Sequence, residues 1–558
     1  MKKNLFKLLF FVVVLCSHSI IAQTTVTGTI TDGSGGLTLP GVNIIEKGTS
    51  NGVTSDFNGN YSIDVKENGI LQFSFIGYTT QEIKVNGKTI INVTLAESAE
   101  ALGEVVVTAL GISKEKKALG YATATVKADE LVKTGTPSFA TALYGKAPGV
   151  QISSTSGGST SAVNIQIRGI GSITGNTQPL IVVDGIPIRN ENVSNNNYWG
   201  DQRVRGNGLL DINTEDIENI SVLKGASAAA LYGNEALNGV VLITMKSGKG
   251  TKKGLGVSVN STYTMDKAAY FPRFQDVRGP GYPIYLNDAG QDEDMWLYNN
   301  GTRTPIATNV NFGPKFDGLP TLAWTGDVIP YNAQNGPKGL FQEAHNFMNN
   351  ISITSSSDKH NLRFSYTRQD NEGLSLNSEN DKNIFNLNAS FNWNEKLKTD
   401  ILVNYINTKV QNRPYSIDRL TNNFGGMMTR FDSGDWYYDN YKTSLGYRYV
   451  TGSNQSITPD ENLTIGGYRD AVLDYAWRVN ENRYEENSDR IIASITQFWD
   501  IAKGLNLRGR ISTDFTNYQS TSENSSTQPL LYGPSGYYGI SNSIDKIVYG
   551  ELLLTYNK

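Results

Sequence analysis

Ile384-Phe385-Asn386-Leu387-Asn388-Ala389-Ser390-Phe391-Asn392-Trp393-Asn394 is the stretch that decides the fold. Phe385, Leu387, Ala389, Phe391 and Trp393 alternate with Asn386, Asn388, Ser390, Asn392 and Asn394. Side chains on a strand point to opposite sides in turn, so this segment separates an apolar face from a hydrated one. Leu505–Phe515 does the same, with Leu505, Leu507, Gly509, Ile511 and Phe515 against Asn506, Arg508, Arg510, Ser512 and Asp514. Comparable runs at 256–264, 350–356, 361–369, 397–407, 490–499 and 546–556 bring the count to eight. A tilted strand needs roughly 9–11 residues to cross a bilayer, which the shortest run only approaches.

The gaps separate a membrane barrel from a large extracellular β-protein with irregular loops. Residues 265–349 and 408–489 are long gaps, 370–383 and 516–545 are loops, and 357–360, 395–396 and 500–504 are tight turns. Long and short connections therefore alternate. If the preceding part of the chain is periplasmic, every tight turn falls on the periplasmic side, the asymmetry of bacterial outer-membrane barrels.

Lys2, Lys3 and Lys7, the apolar run Leu8–Leu15 and small or polar residues to Ala22-Gln23 read as a signal peptide over 1–22, too short for a spanning helix. The single cysteine, Cys16, falls inside it, and Leu15 is too bulky for a lipoprotein signal, so the mature chain has no thiol. Without the three signal lysines, 46 basic residues stand against 53 acidic ones, a balance of −7. No basic patch points to nucleic acid. A hydrophobic content of 38% without a helix-length apolar run excludes a helical membrane protein but not a barrel.

Three blocks precede residue 249. Residues 23–97 alternate short strands with turn residues: Val26–Thr31, Leu39–Ile44 and Gly52–Ile63, the last with Asn58-Gly59 as a hairpin signal. They predict a small β-sandwich. Asp56-x-Asn58-Gly59 lacks the remaining ligands of a calcium loop and reads as a turn. Residues 98–109 form a linker that closes on the β-branched run Glu104, Val105, Val106, Val107, Thr108, Ala109. Uncovered, such a run can add itself to the edge of a partner's sheet; an ordinary strand of the next domain would read the same way. Residues 110–248 mix predicted helices at Ser138–Tyr144 and Ala226–Tyr232 with strands at Val163–Arg168, Leu180–Val183, Ile220–Leu223 and Val240–Met245, an α+β unit. Gly169-Ile170-Gly171-Ser172-Ile173-Thr174-Gly175 has its last glycine one position late for a dinucleotide loop and no helix after it. The mature chain's histidines, His345 and His360, sit in no zinc motif, and no nucleophile or phosphate-loop motif points to an enzyme or a cofactor.

Particular motifs then resemble known proteins. Pro40-Gly41-Val42 through Gly59-Asn60-Tyr61-Ser62-Ile63 is similar to the carboxypeptidase-regulatory-like domain family. Glu104–Gly111 with Lys114–Tyr121, Gly145–Val150, Ile167–Ser172, Pro179–Pro187, Leu210–Asn213, Asp216–Gly233 and Ala236–Val241 together resemble the SusC/RagA family of TonB-linked outer-membrane transporters. The resemblance is dense over residues 24–250; beyond them only the barrel pattern matches. It implies that 110–248 is a plug, that Glu104, Val105, Val106, Val107, Thr108 and Ala109 form the TonB box pulled by the inner-membrane energy complex, and that a SusD-like surface lipoprotein and oligosaccharide or peptide cargo are partners. It places the chain in the outer membrane, in contact with its lipid, with the N-terminal domain periplasmic. An alternative is a surface receptor or adhesin that binds glycan or peptide without transport.

The fold expected is mainly β: an N-terminal β-sandwich, an α+β plug and, over 249–558, an incomplete transmembrane antiparallel β-barrel. The resemblance implies roughly 22 strands, whereas an eight-stranded barrel has room only for its own side chains. The chain is therefore expected to be a fragment or to be completed by another polypeptide. Two aromatic-rich stretches stand out as possible cargo contacts: Tyr270, Phe271, Phe274, Tyr282, Tyr285, Trp296 and Tyr298, then Trp436, Tyr437, Tyr438, Tyr441, Tyr447 and Tyr449. Girdles or loop packing explain them as well. Asp292-Glu293-Asp294 reads as a solvated turn.

Overall fold

The computed structural model describes residues 23–33, 36–49, 51–75, 78–96, 105–107, 113–115, 123–132, 138–154, 163–170, 177–188, 203, 206–224, 232–249, 253–282, 296–414, 428–449 and 468–556. The chain divides into two compact units, one of residues 1–106 with 114–119 and one of 107–113 with 120–558.

The first unit is built from β1 (Gln23–Asp32), β2 (Asn43–Glu46), β3 (Gly52–Thr54), β4 (Asn60–Lys66), β5 (Ile70–Ser74), β6 (Gln81–Lys84) and β7 (Val93–Leu95). They form two sheets, β4-β1-β7 and β3-β2-β5-β6. Alternation sets the inner faces: Tyr61, Ile63 and Val65 are buried along β4 while their neighbours are exposed. With Val26, Ile30, Ile44 and Phe73 they close one core. Asn58-Gly59 is not the turn of a hairpin, which corrects the sequence reading. β3 pairs with β2 and β4 pairs with β1, so this turn carries the chain from one sheet to the other. Only Gly59 has positive φ, at 75°, where a two-residue hairpin of the expected type needs two such residues. Asp56 organises the turn by accepting from the amides of Asn58 at 2.9 Å and Asn60 at 2.8 Å.

Val105–Val107 (β8) pairs with Ser113–Glu115 (β9) in a two-stranded sheet. A mixed domain follows. Its central sheet has the order β10-β15-β16-β13-β14, from β10 (Thr123–Lys127), β13 (Leu180–Val183), β14 (Ile186–Ile188), β15 (Ile217–Leu223) and β16 (Val240–Met245), with β13 parallel to β16. A hairpin of β11 (Val150–Ser154) and β12 (Val163–Ile167) and the short helices α1 (Ala128–Val132) and α2 (Phe139–Ala142) complete it. The helix expected over Ser138–Tyr144 is shortened to α2, and residues 226–231 of the second expected helix lie outside the described residues. Val163, Ile165, Ile181, Ile220, Val222 and Ile243 fill the core.

The remaining chain lays down one antiparallel sheet of eight strands: β17 (Gly254–Asp266), β22 (Ala344–Ser356), β23 (His360–Glu372), β24 (Glu379–Asn394), β25 (Leu397–Gln411), β26 (Arg483–Ala502), β27 (Leu505–Asn524) and β28 (Tyr537–Tyr556). β18 (Trp296–Asn299), β19 (Thr302–Pro305), β20 (Pro320–Leu322) and β21 (Val328–Pro330) form two small hairpins in the first long connection. Each long strand pairs with the next one in the chain, and the sheet runs from β17 to β28 without closing. All eight expected strands are present and longer than their apolar cores, at 13–20 residues. Turns of 357–359, 395–396 and 503–504 lie at one end, and connections of 267–343, 373–378, 412–482 and 525–536 at the other.

One face of this sheet is apolar. Val257, Ile353, Phe364, Leu387, Val403 and Ala493 form a continuous row across six strands by their pairing register. Trp393 and Trp499 lie on the same face near the tight turns, both exposed. The opposite face carries Arg363, Ser365, Thr367, Asn386, Asn404, Arg490 and Asp514, all buried. A row of exposed and half-buried apolar side chains flanked by aromatics fits a surface that faces lipid.

Candidate functional site at the seam of plug and wall

What buries the polar face of the wall is the mixed domain. Leu402 of β25 and Ile492 of β26 belong to the same apolar core as its sheet. The docking segment is 206–216, made of two single-turn 3₁₀ helices, Gly208–Asp211 and Thr214–Asp216. Asn213 caps the second by accepting from the Glu215 amide. This turns a run of acceptors toward the wall.

Asp216 forms a buried pair with Arg363 at 2.8 Å, the side chains 1% and 4% exposed. It also accepts from Ser365 Oγ at 2.6 Å and from Asn213 Nδ2 at 2.7 Å. Asn213 donates as well to Thr367 Oγ1 at 2.8 Å. Glu215 accepts from Asn260 Nδ2 of β17 at 2.7 Å; burial holds its carboxyl above the usual range against the pull of Lys246 and this hydrogen bond. At the next contact Arg490 bridges Asp211 of the plug at 2.7 Å and Asp514 of β27 at 2.7 Å. Lys382 donates to the Leu210 carbonyl at 2.5 Å. Four wall strands thus hold one plug segment through charge and hydrogen bonds, each made in a site from which water is largely removed.

A second contact lies at the turn between β13 and β14. Asp184 and Gly185 both have positive φ, 46° and 82°, and a Cβ on Gly185 would stand 2.2 Å from Arg510 Nη1. The turn therefore favours glycine at 185, and a Cβ there would also displace the Arg510 guanidinium. Burial pushes the Asp184 carboxyl up to about 7, opposed by the Met245 amide and by Arg510.

A cavity of roughly 280 Å³ opens between the segment at 206–211 and the wall, at the end of the strands that bears the long connections. Arg413 and Glu486 pair across its rim, with Nε to Oε1 at 2.8 Å.

The long connections pack on themselves. Trp324, Tyr437, Val472, Leu473 and Ala476 share a core with Trp436, Tyr438, Tyr441 and Tyr449, formed by α3 (Gly434–Asp439) and α4 (Tyr468–Glu481). Asp432 sits in it, accepting from Trp324 Nε1 at 2.5 Å and Tyr437 Oη at 3.1 Å. Trp296 and Tyr331 are edge to face at 4.8 Å, with Arg303 stacked over Trp296. Of the aromatics singled out from sequence, Trp296, Trp436, Tyr437, Tyr438, Tyr441 and Tyr449 join these clusters and Phe271 packs on Phe341. Tyr270 and Tyr298 are exposed, whereas Tyr285 and Asp292–Asp294 lie outside the described residues. So do Glu104, Thr108 and Ala109.

Sequence reasoning did not single out Asp211, Asp216, Lys382 or Arg490. Lys382 and Arg490 are charged residues on inward positions of strands, whereas Asp211 and Asp216 lie in 3₁₀ turns, and the partners are 149 residues apart for Asp216 and Ser365 and 279 for Asp211 and Arg490.

Two family models match the chain: the TonB-dependent Receptor Plug Domain over residues 115–240 and the CarboxypepD_reg-like domain over residues 26–107. TonB-dependent receptor P3 of Formosa agariphila is 40% identical over 310 residues, 54% of this chain and 29% of that protein. TonB-dependent receptor SusC of Bacteroides thetaiotaomicron is 35% identical over 345 residues, 59% of this chain and 33% of SusC. This chain belongs to the SusC/RagA family of TonB-dependent receptors. Receptors of the family are outer-membrane β-barrel proteins. Among solved structures, the RagAB peptide importer in its closed-closed state shares the fold with a TM-score of 0.50 and 20% identity, over 76% of this chain and 45% of that one. The SusC/RagA chain described here thus spans about a third of the length of the two receptors named above.

Proposed function

We propose that the full-length protein imports a bulky nutrient, an oligosaccharide or a peptide, across the outer membrane, driven by a TonB energy-coupling complex. The observation that carries this reading is the two-faced wall. Its outer face is an apolar row suited to lipid, and its inner face is occupied by a plug held through buried ion pairs. A solute can pass only if that plug shifts. An outer membrane holds no nucleotide triphosphate and sustains no ion gradient, so the force must come from elsewhere.

Residues 104–109 are the segment proposed to receive it. Val105–Val107 already adopts strand geometry, the form in which an exposed run adds to a partner's sheet. In this scheme the first unit and residues 104–109 face the periplasm and the long connections face outward, where a SusD-like lipoprotein covers them. The test is deletion of residues 104–109 in the full-length gene. Growth on the cargo as sole nutrient is expected to vanish while the protein still reaches the outer membrane. Growth that persists would replace import with a surface binding role.

A further inference from the structure

The cavity at the seam contains a buried cation whose hydrogen bonding is incomplete. Lys382, on β24, is 4% exposed and lines the cavity. Its ammonium carries three donors, and its one hydrogen bond among the described residues goes to the Leu210 carbonyl. The neighbouring buried cations are matched by carboxylates. Arg413 is held by Glu486, and Arg490 by Asp211 and Asp514. Lys382 makes no ion pair among the described residues.

Two positions away on the same face, Asn380 is 2% exposed, lines the same cavity, and its side-chain Oδ1 has no hydrogen-bond partner among the described residues. Rotating that amide would turn its NH₂ where Oδ1 now lies. A buried ammonium short of acceptors and a buried amide with one end unpartnered each cost free energy, and a cavity beside both gives room for the missing partner.

We propose that this cavity binds an oxyanion group of the cargo, a carboxylate, with Lys382 as its charged contact and Asn380 as its neutral donor. The site rests on the import reading and gives the cargo a chemistry: an acidic oligosaccharide or a peptide with a free carboxylate. Its position also ties binding to the plug. Lys382 holds Leu210 in the segment that carries Asp211 and Asp216, so a carboxylate drawn to the ammonium weakens that hold just where cargo arrives.

Full-length protein purified in detergent is titrated calorimetrically at low ionic strength with trigalacturonate and with the tripeptide Gly-Ala-Glu. Maltotriose and N-acetylated, C-terminally amidated Gly-Ala-Gln serve as uncharged counterparts. One acidic probe is expected to bind, which decides between sugar and peptide, and its uncharged counterpart to bind at least tenfold more weakly. Lys382→Gln keeps a donor for Leu210 but no charge, and should weaken the acidic probe by about ten- to hundredfold. Lys382→Arg should restore most of the affinity. Hydrogen exchange over 208–216 checks that the plug stays docked in both variants. No binding of either acidic probe, equal binding of charged and uncharged probes, or unchanged affinity in Lys382→Gln would each overturn the proposal. Titration requires no TonB, so failure of the 104–109 deletion test leaves this result standing, and the reverse also holds.

Discussion

Asp216 ends the second 3₁₀ turn of the docking segment, immediately before β15, and three donors converge on its carboxylate from Arg363, Ser365 and Asn213. Replacing it with alanine leaves the Arg363 guanidinium buried without its counter-charge, a loss of about 3–5 kcal/mol for a pair of this kind. Asp216→Ala is expected to loosen the plug without unmaking the wall. Hydrogen exchange by mass spectrometry should show faster exchange over 208–223 and unchanged protection in β23 and β24; undiminished protection of 208–223 would mean that the apolar core shared with Leu402 and Ile492 suffices to hold the plug. At this scale the sequence was only partly legible. The strand over 361–369 was legible, but a charged residue on one of its inward positions, such as Arg363, reads the same whether it meets water, a neighbouring strand or a plug. Gly185 is a similar case: its close approach to the Arg510 guanidinium exists only once the wall is in place.

At the scale of elements, period-2 alternation found all eight wall strands, because one face of each meets an apolar medium and the other a polar one. It underestimated their length. β26 begins Arg483-Tyr484-Glu485-Glu486-Asn487-Ser488-Asp489, with no apolar alternation, yet it continues the ladder against β25 and β27. Beyond the apolar row, backbone pairing extends the strand while solvent lies on its outer side, so composition carries no sign of it. The Asn58-Gly59 turn failed for the opposite reason: local turn chemistry was read correctly, but the choice of strand partner belongs to the sandwich. The apolar row itself gives a prediction. Leu387→Arg places a guanidinium in its middle, between Phe364 and Val403 in register. It should destabilise the folded protein in lipid by about 2–4 kcal/mol, measured by urea unfolding from vesicles. An effect under about 0.5 kcal/mol, as expected for an ordinary surface substitution, would argue that this face does not contact lipid.

For the whole molecule, import requires the plug to move relative to the wall. Asn213 and Thr367 touch across the seam at 2.8 Å, and the chain's single cysteine, Cys16, lies in the proposed signal. Asn213→Cys with Thr367→Cys, joined by a short thiol crosslinker in the full-length protein, is expected to abolish uptake, while each single variant treated alike retains it. Uptake by the crosslinked protein would show that solute passes without displacement of 206–216. The sequence by itself determined the mainly β class, the number and order of the wall strands and the alternation of their connections. Each of these follows from the local period of apolar residues or from short composition signals, which need no knowledge of distant partners. Only the tertiary structure decided which acidic residues of the plug meet which arginines of the wall and where a lysine is left short of acceptors. Those are outcomes of contacts between residues far apart in the chain, whose free energy depends on desolvation and geometry that no local pattern records.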